Sequence, residues 1–154
     1  MANDPDKRLQ ELGLTLPPAP KPVAVYKPAV RTGNLLYVSG HGPLKPDKTL
    51  IVGKVGKELT AEQGTAAARQ VGLAILATLI DTLGSLKKVK RLVKSLALVN
   101  CTDDFGDQPK VVNGYSELMK DVFGEDGIGA RSAMGTNSLP GNIAVEIEAI
   151  FEVE

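Results

Sequence analysis

An arginine at the head of a strand is the residue here with the most distinctive chemistry. Arg131 follows Gly127-Ile-Gly-Ala130 and opens the run Arg131-Ser-Ala-Met-Gly135. A guanidinium entering from a glycine-rich loop can turn its fork into a cleft and pair bidentately with a carboxylate, a geometry lysine does not offer. The same side chain could instead be tied to a structural carboxylate, Glu146 or Glu148 on the neighbouring strand, and residue type leaves both readings open. Glu146 is a second candidate. Beside a bound anion it would repel unless it were protonated or placed to handle a water. His41 follows a strand within Ser-Gly-His-Gly, either as a loop histidine packed for shape or as a functional group. Tyr26, in Val-Ala-Val-Tyr-Lys-Pro, is an ordinary strand aromatic or a hydroxyl on a pocket wall.

Other chemistries find little support. One histidine and one cysteine give no ligand spacing of the kind zinc or iron requires, so neither a metal nor a cofactor is expected. A thiol–imidazole pair could only be Cys101 with His41, and Cys101 reads more simply as a small loop or core residue. No G-x-S-x-G elbow, G-x-G-x-x-G turn or P-loop occurs.

The bulk properties limit the partners. The 154 residues suit one domain with a core of its own. Lysine plus arginine and aspartate plus glutamate both number 18, aromatics are 4% and tryptophan is absent, so a nucleic-acid partner is not expected. The basic group Lys87, Lys88, Lys90, Arg91 and Lys94 reads as a solvated loop and strand edge rather than a phosphate patch. No secretory signal pattern is visible, no apolar run suggests a membrane span, and the lone cysteine excludes an internal disulfide, so the expected location is cytoplasmic.

These candidates need a scaffold. Residues 4–12 suggest a short helix stopped by Gly13, and the proline-rich stretch 16–22 suggests an extended tether, so residues 1–22 form an arm and 23–154 the domain proper. Strands are expected over 23–30 and 35–39, joined by Arg31-Thr-Gly-Asn34, with a third over 50–55. Thr60 and Gln63 form a capping box ahead of a helix that Gly84 ends, and its glycines and alanines suit close approach to a sheet. A strand over 92–99, a helix over 109–122 and strands over 130–138 and 142–153 complete an α+β fold, with two helices on one face of a mixed sheet. The other face of the last strand carries Glu146, Glu148, Ile150 and Glu152, neither plainly core nor plainly solvent, which predicts association with further copies.

Four stretches, in order, carry a resemblance: VYKPAVRTGNLLYVSG, LGSLKKVKRLVKSLALVN, DDFGDQPKVVNGYSELM and ARSAMGTNSLPGNIAVEIEAIF. Across residues 23–153 the chain resembles the RidA/YjgF family, also called L-PSP endoribonuclease-like. The resemblance implies a chorismate-mutase-like fold, a homotrimer with ligand clefts between subunits, and hydrolysis of reactive enamine/imine intermediates such as 2-aminoacrylate to a 2-keto acid and ammonia. It implies that Arg131 clamps the substrate carboxylate, that Glu146 positions or activates the water, and that Tyr26 lines the pocket with Ser39 and Gly40 on its floor. His41 stands where the family has glutamine, and Asn113 falls near its conserved-type asparagine position. Ala133 replaces the usual cysteine, and Thr136-Asn-Ser-Leu-Pro140 lacks a second arginine. The alternatives are a non-catalytic trimeric protein that binds or senses small carboxylates, and an endoribonuclease, the latter suggested by the family's label alone.

Overall fold

The computed structural model describes residues 3–154. The arm is a docked element. Helix α1 (Pro5–Glu11) starts with Asp4 accepting from the Lys7 amide at 3.1 Å and proline at its first position, where a missing N–H costs nothing. The Asp6 carboxylate accepts from the Leu86 amide at 3.0 Å and from the Ser85 hydroxyl. Arg8 donates to the Asp121 carbonyl, and Leu9, Leu12, Leu14 and Leu16 pack on the main core.

Five strands form one mixed sheet in the order β1-β2-β5-β3-β4. They are β1 (Ala29–Thr32), β2 (Leu35–His41), β3 (Val89–Asn100), β4 (Ala130–Thr136) and β5 (Val145–Val153). β3 and β4 run parallel, and every other pairing is antiparallel. Helices α2 (Ala61–Leu83) and α3 (Gln108–Phe123) cover one face. On β5, Val145, Ile147, Ala149, Phe151 and Val153 are buried beneath them, and the intervening residues lie on the open face. The fold is therefore the expected α+β architecture, with the arm's helix as a third.

Two expected strands are corrected. The first begins at Ala29, not at Val23, because Pro28 lacks a donor and β2 bulges after Val38, leaving residues 23–27 nothing to pair with. Residues 50–55 make isolated bridges to Leu44, Ile143, Leu59 and Cys101 rather than a sheet strand, since Gly53 and Gly56 at φ +124° and +94° break the extended run.

The capping box of α2 is formed, with Gln63 N to Thr60 Oγ1 at 3.1 Å and Thr60 N to Gln63 Oε1 at 2.8 Å. The thin side of this helix meets α3 as well as the interior. A Cβ at Gly72 would fall 2.7 Å from Leu118, and one at Gly114 only 2.1 Å from the Thr65 carbonyl oxygen. By length and composition α2 could cross a membrane, a property the sequence reading did not anticipate, yet 67% of its most apolar stretch is buried within this fold.

Candidate functional site

Arg131 enters from a glycine-rich loop held tightly in place. Cβ atoms at Gly127 and Gly129 would strike the Met119 and Leu92 carbonyl oxygens at 2.1 and 2.7 Å. On β4 Arg131 pairs with Ser95, whose hydroxyl meets the Tyr115 hydroxyl under α3 at 2.9 Å, so the arginine leaves the sheet on the helix-covered side. Its Nη1 donates to Asn113 Oδ1 at 2.8 Å and to Ser116 Oγ at 3.1 Å. Asn113 and Ser116 stand three apart on α3, neighbours on one helix face. Among the described residues Arg131 makes no ion pair, so the structural bridge to Glu146 or Glu148 is absent. β3 lies between β4 and β5, contrary to the neighbouring placement expected for those carboxylates. With Nη1 held by α3, Nε and Nη2 have no protein acceptor among the described residues, and that edge suits a carboxylate. A cleft of about 290 Å³ adjoins it, lined by Ser116, Lys120 and Ile128 among others.

Glu146 pairs with Leu98 on β3 and lies on the open face of the sheet, opposite to Arg131. Burial pushes its carboxyl pKa up, and Glu148 adds to the rise by repulsion across the same face. Its carboxylate rests on Gly40, where a Cβ would come within 2.7 Å of Oε1. Glu146, Gly40 and Tyr26 share a cleft of about 450 Å³.

His41 borders that cleft but is only 5% exposed. Nδ1 lies 2.5 Å from the Ser39 carbonyl oxygen and Nε2 2.7 Å from Thr78 Oγ1 on α2. Both ring nitrogens are engaged, and burial lowers the imidazole pKa. The ring lines the cleft beside the β2 bulge, with both of its nitrogens turned to protein partners. Ser39 points elsewhere too. Its hydroxyl donates to the Lys27 carbonyl at 2.6 Å, and it borders an open-face cleft with Tyr37, Lys94 and Ile150. Thus one protomer gathers Arg131 with Asn113, and Tyr26 with Gly40 and Glu146, in two places.

The molecule's relatives bear on this division. Residues 6–151 match the family described as "YjgF/chorismate_mutase-like, putative endoribonuclease". The chain belongs to the RidA/YjgF family. It is similar to Protein TCP17 of Trypanosoma cruzi, 40% identical over 146 residues that make up 94% of this chain and 91% of that one. A crystal structure of the protein Atu1372 of unknown function from Agrobacterium tumefaciens superposes with a TM-score of 0.90 at 41% identity, covering 97% of this chain and 92% of that one. The 2-iminobutanoate/2-iminopropanoate deaminase of Dermatophagoides farinae is 30% identical over 142 residues, 92% of this chain and 95% of that one. The RidA/YjgF match begins within α1, so residues 6–22 of the arm lie inside the matched region.

Three further side chains matter that the sequence reading passed over. Ser116, three residues after Asn113, was visible as a helical i, i+3 partner. Lys54 has no such signal: its ammonium reaches Asn100 Oδ1 at 3.0 Å and the Asn137 carbonyl, pinning the loop before β5. Asn100, fully buried, donates to Asn142 Oδ1 at 3.0 Å and the Ile143 carbonyl at 3.1 Å, holding the loop's other end. Three of the five basic residues are spent on structure: Lys87 pairs with Asp4, Arg91 with Glu152, and Lys94 donates to Ser132, while Lys88 and Lys90 are exposed.

Proposed function

We propose that the chain hydrolyses reactive enamine/imine intermediates of the 2-aminoacrylate type to 2-keto acids and ammonia, in clefts between the subunits of a homotrimer. The observation that carries this reading is the placement of Arg131 and Glu146 on opposite faces of one sheet, each beside its own open cleft. A second copy seated on the open face can bring the guanidinium of one subunit towards the carboxyl of another. Similarity to a 2-iminobutanoate/2-iminopropanoate deaminase supports the same reaction.

The chemistry asks little of the protein. A protonated imine carbon is already electrophilic, so holding its carboxylate on the Nε–Nη2 edge of Arg131 places it for attack. Glu146 as carboxylate takes a proton from the attacking water while oxygen bonds to carbon. As the acid it returns that proton to nitrogen; the C–N bond then breaks, and the hydroxyl proton passes to the Glu146 carboxylate as the C=O forms and ammonia leaves, to be protonated to ammonium. A carboxyl whose pKa is raised by burial is suited to both directions of transfer.

The test generates imines in situ with an L-amino-acid oxidase and follows their decay. Acceleration above buffer is expected, lost in Arg131→Ala and in Glu146→Gln, with three copies per particle by sedimentation equilibrium. Decay equal to the buffer rate, with keto-acid binding retained, would replace this reading with that of a carboxylate-binding protein.

A further inference from the structure

We infer that the N-terminal arm builds one wall of a side-chain pocket beside Glu146, so that the protein selects 2-imino and 2-keto acids with bulky apolar side chains. This rests on the reading that the Glu146 cleft receives the substrate.

Docking of α1 and the leucines after it anchors the start of the arm against α3 and the core. From there Pro17, Pro18, Pro20 and Pro22 carry the chain onward. Proline fixes φ, so such a run arrives as a stiff extended rail rather than a loose tail. It delivers Pro22, Val23 and Tyr26 to the cleft that holds Gly40 and Glu146.

The opposite wall is apolar as well. Leu44 and Leu50 bridge each other, Gln70 of α2 holds the Leu44 carbonyl at 2.6 Å, and Ile143 closes the floor. Gly42 makes room for this packing, since a Cβ there would press Ile143 and Leu50 at 3.1 and 3.4 Å. The charged groups in the lining are Lys21 and Glu146.

The exposed apolar surface is what needs an occupant. Val23 is 94% exposed, and Tyr26 and Leu50 are nearly half exposed, all facing one cleft. A cleft lined mainly by apolar side chains, with a polar group at one point, is the usual form of a small-molecule site. A cleft of about 450 Å³ holds on the order of fifteen waters at ~30 Å³ each. The methylene of 2-aminoacrylate would leave most of it empty, whereas a leucine- or phenylalanine-sized side chain would displace that water against apolar walls.

The experiment compares binding of 4-methyl-2-oxopentanoate and pyruvate to the full-length assembled protein by calorimetry, and hydrolysis of the leucine- and alanine-derived imines by the coupled assay. The larger ligand is expected to bind about tenfold or more tightly, the least that added methylenes in an apolar pocket confer. In Val23→Glu, a change at an exposed position that leaves the core untouched, that ratio falls towards one with the melting temperature unchanged. A leucine-sized preference in binding with no imine hydrolysis leaves this inference standing and removes the proposed deamination. Equal binding of the two keto acids, or none of either, overturns the inference whatever the hydrolysis assay gives, as when a neighbouring subunit fills the cleft.

Discussion

A Cβ on Gly40 would lie 2.7 Å from Oε1 of Glu146, so the carboxyl of β5 is seated directly on the backbone of β2. The clash that Gly40→Ala creates is with the far end of a flexible side chain, and the chain there is not in the left-handed region. The fold therefore tolerates the change, while the carboxyl must swing away from the bulge. Displacement of a reacting group by about 1 Å costs on the order of a hundredfold in rate. Gly40→Ala is expected to lose that much in kcat for imine hydrolysis with its melting temperature nearly unchanged. Full activity in this variant would show that contact with Gly40 does not place the carboxyl.

The guanidinium of Arg131 is oriented from one nitrogen by Asn113 and Ser116, which predicts a graded series. Arg131→Ala removes two charge-assisted hydrogen bonds of about 1.5 kcal/mol each, on the order of a hundredfold in keto-acid affinity. Arg131→Lys keeps the charge and loses the fork, so it recovers only a small part. Asn113→Ala leaves the clamp present but less constrained and costs about fivefold, the worth of one hydrogen bond near 1 kcal/mol. Titration calorimetry with 2-oxobutanoate reads all three. Equal affinities for Arg131→Lys and the parent protein would remove the bidentate clamp.

Local signals predicted the long helices well. The Thr60–Gln63 box, Gly84 and the apolar spacing after Pro109 are all local, and α2 and α3 follow them closely. The inward residues of β5 were equally plain, because alternation with period two survives wherever one face is covered. What was hidden depends on partners distant in sequence. Residues 23–27 have the composition of a strand, but pairing is decided by the β2 bulge. The site divides in the same way. The type of Arg131 was informative, yet its orientation is set by Asn113 and Ser116 on a different element. Nothing in Ser-Gly-His-Gly indicated that the ring of His41 turns inward to Thr78. The arm looked like a tether because prolines exclude helix, and only the docking of α1 shows that they lead to the Glu146 cleft.

Helix α3 approaches α2 through Gly114, where a Cβ would sit 2.1 Å from the Thr65 carbonyl oxygen. That neighbour is backbone in the interior of a helix and cannot step aside. Gly114→Ala ordinarily favours a helix through propensity, so its sign here separates propensity from packing. Overpacking prevails, with an expected loss of about 3 kcal/mol in urea unfolding, at the upper end of its usual range. A stabilised variant would show that the two helices can part at no cost.

His41 is the only histidine, which makes its titration separable from everything else in the chain. Desolvation on burial depresses its pKa below the ordinary 6.5, outweighing the rise that the Ser39 carbonyl beside Nδ1 contributes. As pH falls through that ordinary value the unfolded chain takes up a proton that the folded one refuses, so stability is complete above it and drains away below it. The slope approaches about 1.4 kcal/mol per pH unit until the depressed value is reached. Glu146 acts in the opposite sense, because its raised pKa makes the folded state lose stability as pH climbs from 4.5. Urea unfolding of the parent protein and of His41→Gln, measured from pH 5 to 8, isolates the imidazole in the difference between the two curves. That difference is expected to be flat above pH 7 and to shift in favour of the glutamine variant below 6.5. A proton NMR titration of the single imidazole Cε1–H should place its midpoint on the acid side of 6.5, and a midpoint at or above that value would mean that the ring is not held as the structure shows it.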